Sequence, residues 1–415
     1  MGARRMPPRG GVAGPAFAER AERAPVLRHG PDYALLAVLM VLTVVGLIAV
    51  YSSSYALGYA QYGDANYFVK RQIVFIAIGM GCMFIAMTVN YRVLLRLSPL
   101  IMLVALVALA AVLVPGIGVE QNGARRWVQP AAALPALQPS EFAKLAVLIY
   151  MAAWLAAKGE VVRDLSLGVL PFVGMVGLVG ALIMLEPDLG TAVIVAAITG
   201  ALFFVAGARL THVLALAGAG ALAFVVLVTS GGYRTERILS FTHAEDDPSG
   251  LGFHTLQLLV AFGSGGLSGL GLGVSRQKFF FIPGSHTDGV LAIIGEELGF
   301  IGVVTVLLLF ALLLWRGLRI AQRAPDRFGS LLATGVCAWL AFQLLINAGG
   351  VTRSIPLTGI PLPFLSYGGS ATIATLTAVG VLLSVSRSAA LADPAREAPT
   401  RGVLRSAAPA GRGSR

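Results

Sequence analysis

Three carboxylates and two cations fall within residues 263–299, GSGGLSGLGLGVSRQKFFFIPGSHTDGVLAIIGEELG. Asp288 stands at the mouth of an apolar run, and Glu296 and Glu297 lie inside that run. Arg276 and Lys278 come ten to twelve residues earlier, before a turn at Pro283. Low-dielectric surroundings disfavour an ionised carboxylate, and a base that takes a proton from a hydroxyl works best when poised near the ambient pH. Guanidinium and ammonium groups hold phosphate and diphosphate through charge-assisted hydrogen bonds. An acid beside cations at a water–lipid boundary therefore suits chemistry on an anionic lipid. Plainer roles are open to the same residues. Asp is favoured as a helix N-cap, the two cations suit an ordinary solvated loop, and carboxylates inside a membrane pair with cations on other helices. Glu296 and Glu297 lie about 12 Å along the helix from Asp288 at 1.5 Å per residue. Being adjacent, they are expected to face different neighbours.

A second cluster joins NGARRWVQ (122–129) to QPSEFAKL (138–145). Arg125 and Arg126 precede Trp127, a residue type that anchors at headgroup level. Glu141 and Lys144 are three apart on one helical face, which permits an ion pair; alternatively Lys144 or Arg126 faces a bound diphosphate. In EPDLGT (186–191), Pro187 breaks the chain between two apolar runs and presents Glu186 and Asp188, an arrangement a tight turn explains equally well. GIPLPFLSYGGSA (359–371) runs from a proline-rich loop into a helix start. There Ser366, Tyr367 and Ser370 either line a cavity or pack, and the glycine pair allows close backbone approach. His286 and Thr287, beside Asp288, complete the candidate set. Other patterns carry nothing. Gly269, Gly271 and Gly273 have no βαβ unit around them, which excludes a dinucleotide loop. His212, His243, His254 and His286 lack ligand spacing, so no metal site is assigned, and no Ser-His-Asp order or phosphate-binding lysine loop is present.

These groups need a scaffold, and composition names it. The 415 residues are 57% hydrophobic and 12% charged, about half the charge of a soluble domain, and the mean hydropathy is +0.81. That is an integral membrane protein, so the net charge of +11 is no nucleic-acid footprint. The two cysteines sit in apolar runs and imply no disulfide framework. A spanning helix needs about 20 apolar residues, and that window finds ten runs: 33–51, 71–89, 98–114, 142–157, 167–185, 190–206, 210–229, 289–314, 328–350 and 367–386. About two-thirds of the 31 Lys and Arg then fall on one side. By the positive-inside rule that side is the cytoplasm, with both termini there. The acids Asp64, Glu120, Glu141, Glu186, Asp188 and Asp288 fall on the other. The expected fold is an all-α membrane protein of about ten helices over residues 31–387. A large extracellular loop, 230–287, joins helices 7 and 8, and its second half suits a short amphipathic or re-entrant helix. Residues 1–30 and 388–415 are read as disordered basic cytoplasmic tails, suited to contact with anionic lipid.

The stretches NGARRW, QPSEFAKL, EPDLGT, GSGGLSGLGLGVSRQKFFFIPGSHTD, GEELG and PLPFLSYGGS, in that order, resemble the SEDS family (shape, elongation, division and sporulation), and its division branch more than its elongation branch. The resemblance implies a peptidoglycan glycosyltransferase of the bacterial cytoplasmic membrane, at the division septum. Its substrates would be lipid II and a polyprenyl-linked glycan, and undecaprenyl diphosphate would leave. A class B penicillin-binding protein and other divisome membrane proteins would be partners; nucleic acid would not. The family's catalytic aspartate falls on Asp288, with Arg125, Arg126, Lys144, Arg276 and Lys278 as candidates to hold the diphosphate. No tightly bound cofactor is implied, though a divalent cation (Mg2+ or Mn2+) could enter with the diphosphate. One departure is visible: Gly289, Val290 and Leu291 follow where the family has Phe-Ile-Phe. Two other readings stay open, a lipid II flippase and a non-catalytic division scaffold. Flipping would need polar groups through the whole membrane depth, whereas here they cluster in the outer half.

Overall fold

The computed structural model describes residues 30–121, 124–129, 135–229, 235, 241, 242, 244–246, 252–279, 281, 282 and 284–388. The expected tails at 1–29 and 389–415, much of the 230–287 connection and the turn residue Pro283 lie outside the described residues.

Every apolar window contains a helix. In chain order these are α1 (Tyr33–Tyr62), α2 (Tyr67–Thr88), α3 (Tyr91–Leu113), α4 (Pro139–Lys158), α5 (Leu170–Leu185), α6 (Leu189–Val205) and α7 (Leu210–Thr229). After the partly described connection come α8 (Phe253–Gly265), α9 (Val290–Arg323), α10 (Arg327–Val351) and α11 (Gly369–Arg387). Among the described residues, nine helices are long and apolar enough to cross a membrane, and α6, with 17 residues, is a shorter apolar helix. The all-α bundle carries one small extended element. An antiparallel hairpin, β1 (Gly118–Gln121) with β2 (Ala124–Val128), follows α3. Asn-Gly between two extended segments is a strong hairpin signal, and here it is Asn122-Gly123.

Local chemistry sets the helix ends. Asp32 accepts the Leu35 N–H at 2.9 Å and starts α1, Asp326 caps α10 through the Gly329 N–H, and Gly63 closes α1 in the left-handed conformation. Each satisfies backbone groups that a helix end leaves without partners. The core lies among α4, α10 and α11, with Trp339, Leu148 and Val379 fully buried. Packing between α11 and α2 is extensive, and it is close because Gly79 lies against Leu376 and Gly380 against Met83. Small residues let helix backbones approach where no hydrophobic effect drives association. Leu100, Leu103 and Val107 of α3, with Leu214, Leu222 and Val226 of α7, are exposed. They give the bundle the apolar exterior a lipid environment requires.

The bundle has two chemically different ends. At one, Asp32 pairs with Arg316 at 2.7 Å and Asp326 with Arg92 at 3.1 Å, amid Lys158, Arg163, Arg319 and Arg323. At the other lie the hairpin, the 186–188 turn, α8, the 266–289 segment and the 352–368 loop. All the candidate residues gather at or just inside this second end.

Candidate active site

A break in α9 organises the second end. Gly299 has φ 66° and ψ −165°, a conformation essentially restricted to glycine. The carbonyls of Glu296 and Glu297 thus lose their partners along the helix. The N–H groups of Leu270 and Gly271 replace them, each at 3.0 Å, while the Phe300 and Ile301 N–H groups donate to the Gly266 and Leu267 carbonyls. The glycine-rich segment is therefore a splice across a broken helix. It repairs backbone polar groups that lipid could not satisfy. Close approach is required, since a Cβ at Gly265 would strike the Gly295 carbonyl and one at Gly269 the Glu297 carbonyl.

The same splice holds both glutamates, each through its own principal partners, as their adjacency requires. Glu296 accepts the Ser275 hydroxyl at 2.5 Å and the Arg276 N–H at 2.8 Å. Glu297 pairs with Lys278 at 2.7 Å and accepts the Ser52 hydroxyl at 2.7 Å. The segment 275–278 crosses the helix at its break and offers each acid a different donor. Lys278 also stands 4.9 Å from the Tyr55 ring centroid and is buried. Its charge is committed to Glu297. Removing one member of such a pair strands a buried charge and typically costs about 3–5 kcal/mol. Arg276, anchored by its backbone, keeps an exposed side chain with no ion pair among the described residues.

Asp288 does not cap α9; Gly289 occupies the N-cap position and no side chain caps it. One Asp288 oxygen accepts the Thr287 hydroxyl at 3.0 Å, and the Asp288 backbone carbonyl accepts the Asn347 amide at 2.9 Å. A Cβ at Gly284 would collide with the carboxylate, so that glycine makes room for it. The side chain is at the edge of burial, 9% exposed. Beside it, His286 packs between Phe68 and Tyr367, with ring centroids 4.6 and 5.5 Å away. Burial drives the imidazole down to about 4, outweighing the opposite pull of Asp288, so His286 is neutral at pH 7.

The remaining motifs interlock. Tyr367 donates its N–H to the His286 carbonyl at 2.8 Å. Ser370 accepts the Gln138 N–H at 2.8 Å, and the Gln138 side chain donates to Asp188 at 3.1 Å. Asp188 is not presented to solvent. It caps α6 through the Thr191 N–H and hydroxyl, and it is buried. Arg126 holds the same turn, donating to the Glu186 carbonyl at 2.9 Å and to the Pro187 carbonyl. Arg125 instead pairs with Glu120 on the hairpin surface at 3.3 Å. Lys144 is buried against Glu141 at 2.8 Å and the Trp339 ring, the ion pair that the i, i+3 spacing permitted. Ser366 closes its own loop by accepting the Leu362 N–H at 2.8 Å. The candidate residues thus divide into a framework and two groups, Asp288 and Arg276, whose side chains reach solvent and are little committed to it; the Glu186 carboxyl, buried with no hydrogen-bond partner among the described residues, belongs to neither. Gly284, Gln138, Asn347 and Ser52 were missed. A polar residue inside an apolar span is a signal that finds the last two.

Comparison with known proteins returns one answer. A model of the cell cycle protein family that includes FtsW, RodA and SpoVE matches residues 32–391. Stage V sporulation protein E of Bacillus subtilis is 46% identical, over 87% of this chain and 98% of that protein. A probable peptidoglycan glycosyltransferase FtsW of Trichlorobacter lovleyi is 41% identical, over 87% and 94%. Among solved structures, a peptidoglycan synthase complex that coordinates polymerization and crosslinking contains a chain matching with TM-score 0.70 and 31% identity, over 86% of this chain and 98% of that one. The rod shape determining protein RodA of Thermus thermophilus matches with TM-score 0.64 and 30% identity, over 86% and 97%.

Proposed function

Because the chain belongs to the FtsW/RodA/SpoVE family of cell cycle proteins, we propose that it is a peptidoglycan glycosyltransferase in which Asp288 is the general base. Lipid II is the substrate, as the activity named for its relatives implies. One Asp288 oxygen takes the proton of the acceptor sugar's 4-hydroxyl as the hydroxyl oxygen attacks the anomeric carbon of the lipid-linked donor. The carbon–oxygen bond to the diphosphate breaks, and undecaprenyl diphosphate departs with the electron pair. Arg276, exposed and unpaired among the described residues, is the candidate cation least committed to another partner and so is assigned the developing charge. Arg125, with its outer pair to Glu120, can exchange that partner for a phosphate. Lys144, Lys278 and Arg126 position the loops.

The observation that carries this reading is the Asp288 carboxylate itself. It is seated over Gly284 and held by one neutral hydroxyl, free of capping and of any ion pair among the described residues. Among those residues no three His, Cys, Asp or Glu form a metal-binding group. The residues present thus do not fit a dedicated cage, and a divalent cation would ride on diphosphate oxygens. In keeping with the charge distribution, the site faces outward and the termini lie in the cytoplasm. The protein acts at the septum beside a penicillin-binding transpeptidase, a partnership consistent with its likeness to a synthase complex. Polymerisation of lipid II by purified Asp288→Asn and Asp288→Ala tests the base. Each should lose at least about 100-fold in rate; wild-type rates in both would remove Asp288 from this role.

A further inference from the structure

A second site lies at the arginine-rich end. A cavity of about 400 Å3 opens between the start of α1 and the last turns of α9, bordered by Ser386 of α11. It lies about 30 Å along α1 from Ser52, at 1.5 Å per residue, and so far from the Glu297 pair. Arg316, Arg319 and Arg323 line it from one stripe of α9, and Asp32 is its acid. Asp32 is already committed, capping α1 through the Leu35 N–H and pairing with the Arg316 Nη2 at 2.7 Å. Arg319 and Arg323 are exposed and make no ion pair among the described residues, and the Arg316 Nε is buried without a partner. Tyr33, Ala34 and Ile320 give the cavity an apolar wall. Trp315, 47% exposed, stands beside it with the Arg319 guanidinium 4.2 Å from its ring centroid. An exposed Trp next to arginines marks headgroup depth in a membrane.

Uncompensated arginines above an apolar wall at headgroup level match one ligand chemistry, a phosphate carried on acyl chains. The chain's own terminal stretches are rich in arginine and would be repelled. We propose that this cavity binds the headgroup of an anionic phospholipid, with Arg319 and Arg323 gripping the phosphate and Arg316 held beside them by Asp32. The site is separate from the glycosyl-transfer centre and does not depend on that activity.

Native mass spectrometry of the full-length protein released from nanodiscs of mixed phosphatidylglycerol and phosphatidylcholine tests this. The wild type should retain phosphatidylglycerol in preference, and R319Q/R323Q should retain about tenfold less or lower. Both side chains are exposed, so the variant should keep its fold, which unchanged melting in pure phosphatidylcholine checks. K158Q, elsewhere at the same end, should retain as much as wild type. The proposal is overturned if the wild type shows no preference between the lipids, or if K158Q loses as much as the double variant. It also falls if millimolar inorganic phosphate protects against unfolding as well as phosphatidylglycerol does, for then free phosphate is the ligand.

Discussion

Both carboxylate oxygens of Glu186 are buried with no hydrogen-bond donor among the described residues. Burial, reinforced by Asp188 and only partly offset by Arg126, pushes the carboxyl up to about 8. The folded chain therefore holds Glu186 largely protonated at neutral pH, while the unfolded chain ionises it near the ordinary 4.5. The folded state then binds more protons, so the contribution to stability is full below pH 4.5 and is lost as pH rises through 8. Glu186→Gln keeps the shape without the charge. Its gain in melting temperature over the parent should be small near pH 5 and grow steadily to about pH 8. A gain that is flat with pH would show that Glu186 does not titrate there. The sequence revealed the acids better than their partners. Glu141 and Lys144 could be paired on paper because a helix brings i and i+3 together. Lys278 with Ser52, or Gln138 with Ser370, is joined only by tertiary packing across more than 200 residues, for which local periodicity holds no signal.

Helices were legible for the same physical reason. An apolar run long enough to cross a membrane must satisfy its own backbone, and a helix does that within one segment. The break in α9 was not legible, because Gly299 lies within a run that reads as one span despite its two glutamates, and its role depends on where the glycine-rich segment after α8 passes. Position 299 should therefore be intolerant of any side chain. An alanine there would take up a glycine-only conformation, costing about 1–3 kcal/mol, and its Cβ would also press on the Gly269 N–H and the Leu267 carbonyl. Gly299→Ala should lower the melting temperature markedly and disorder the Glu296 and Glu297 contacts. Gly180→Ala in α5, where a Cβ meets nothing within 4 Å, should be neutral or slightly stabilising. Equal melting of the two variants would remove the splice as a determinant of stability. The hairpin shows the opposite lesson: its Asn-Gly signal is local and lies in the sequence itself.

Across the whole molecule, the two ends differ in how their charges are matched. Near Asp288, Lys70, Arg125, Lys144, Lys278 and Arg353 each meet an acid and Arg126 meets backbone carbonyls, while the Arg71 and Arg276 side chains meet no acid among the described residues. At the other end, Arg319 and Arg323 exceed the acids available. Unmatched basic residues are retained on the cytoplasmic side during insertion, which supports the proposed orientation, with Asp288 outward where a lipid-linked glycan would be extended. Single cysteines test that orientation in a chain with Cys82 and Cys337 replaced by Ala. Ser354 is exposed in the 352–368 loop at the Asp288 end, and Glu160 is exposed after α4 at the arginine-rich end. In intact spheroplasts a membrane-impermeant maleimide should label Ser354→Cys, and it should label Glu160→Cys only after permeabilisation. The reverse pattern would turn the acid toward the cytoplasm and leave it on the wrong side of the membrane for glycan synthesis.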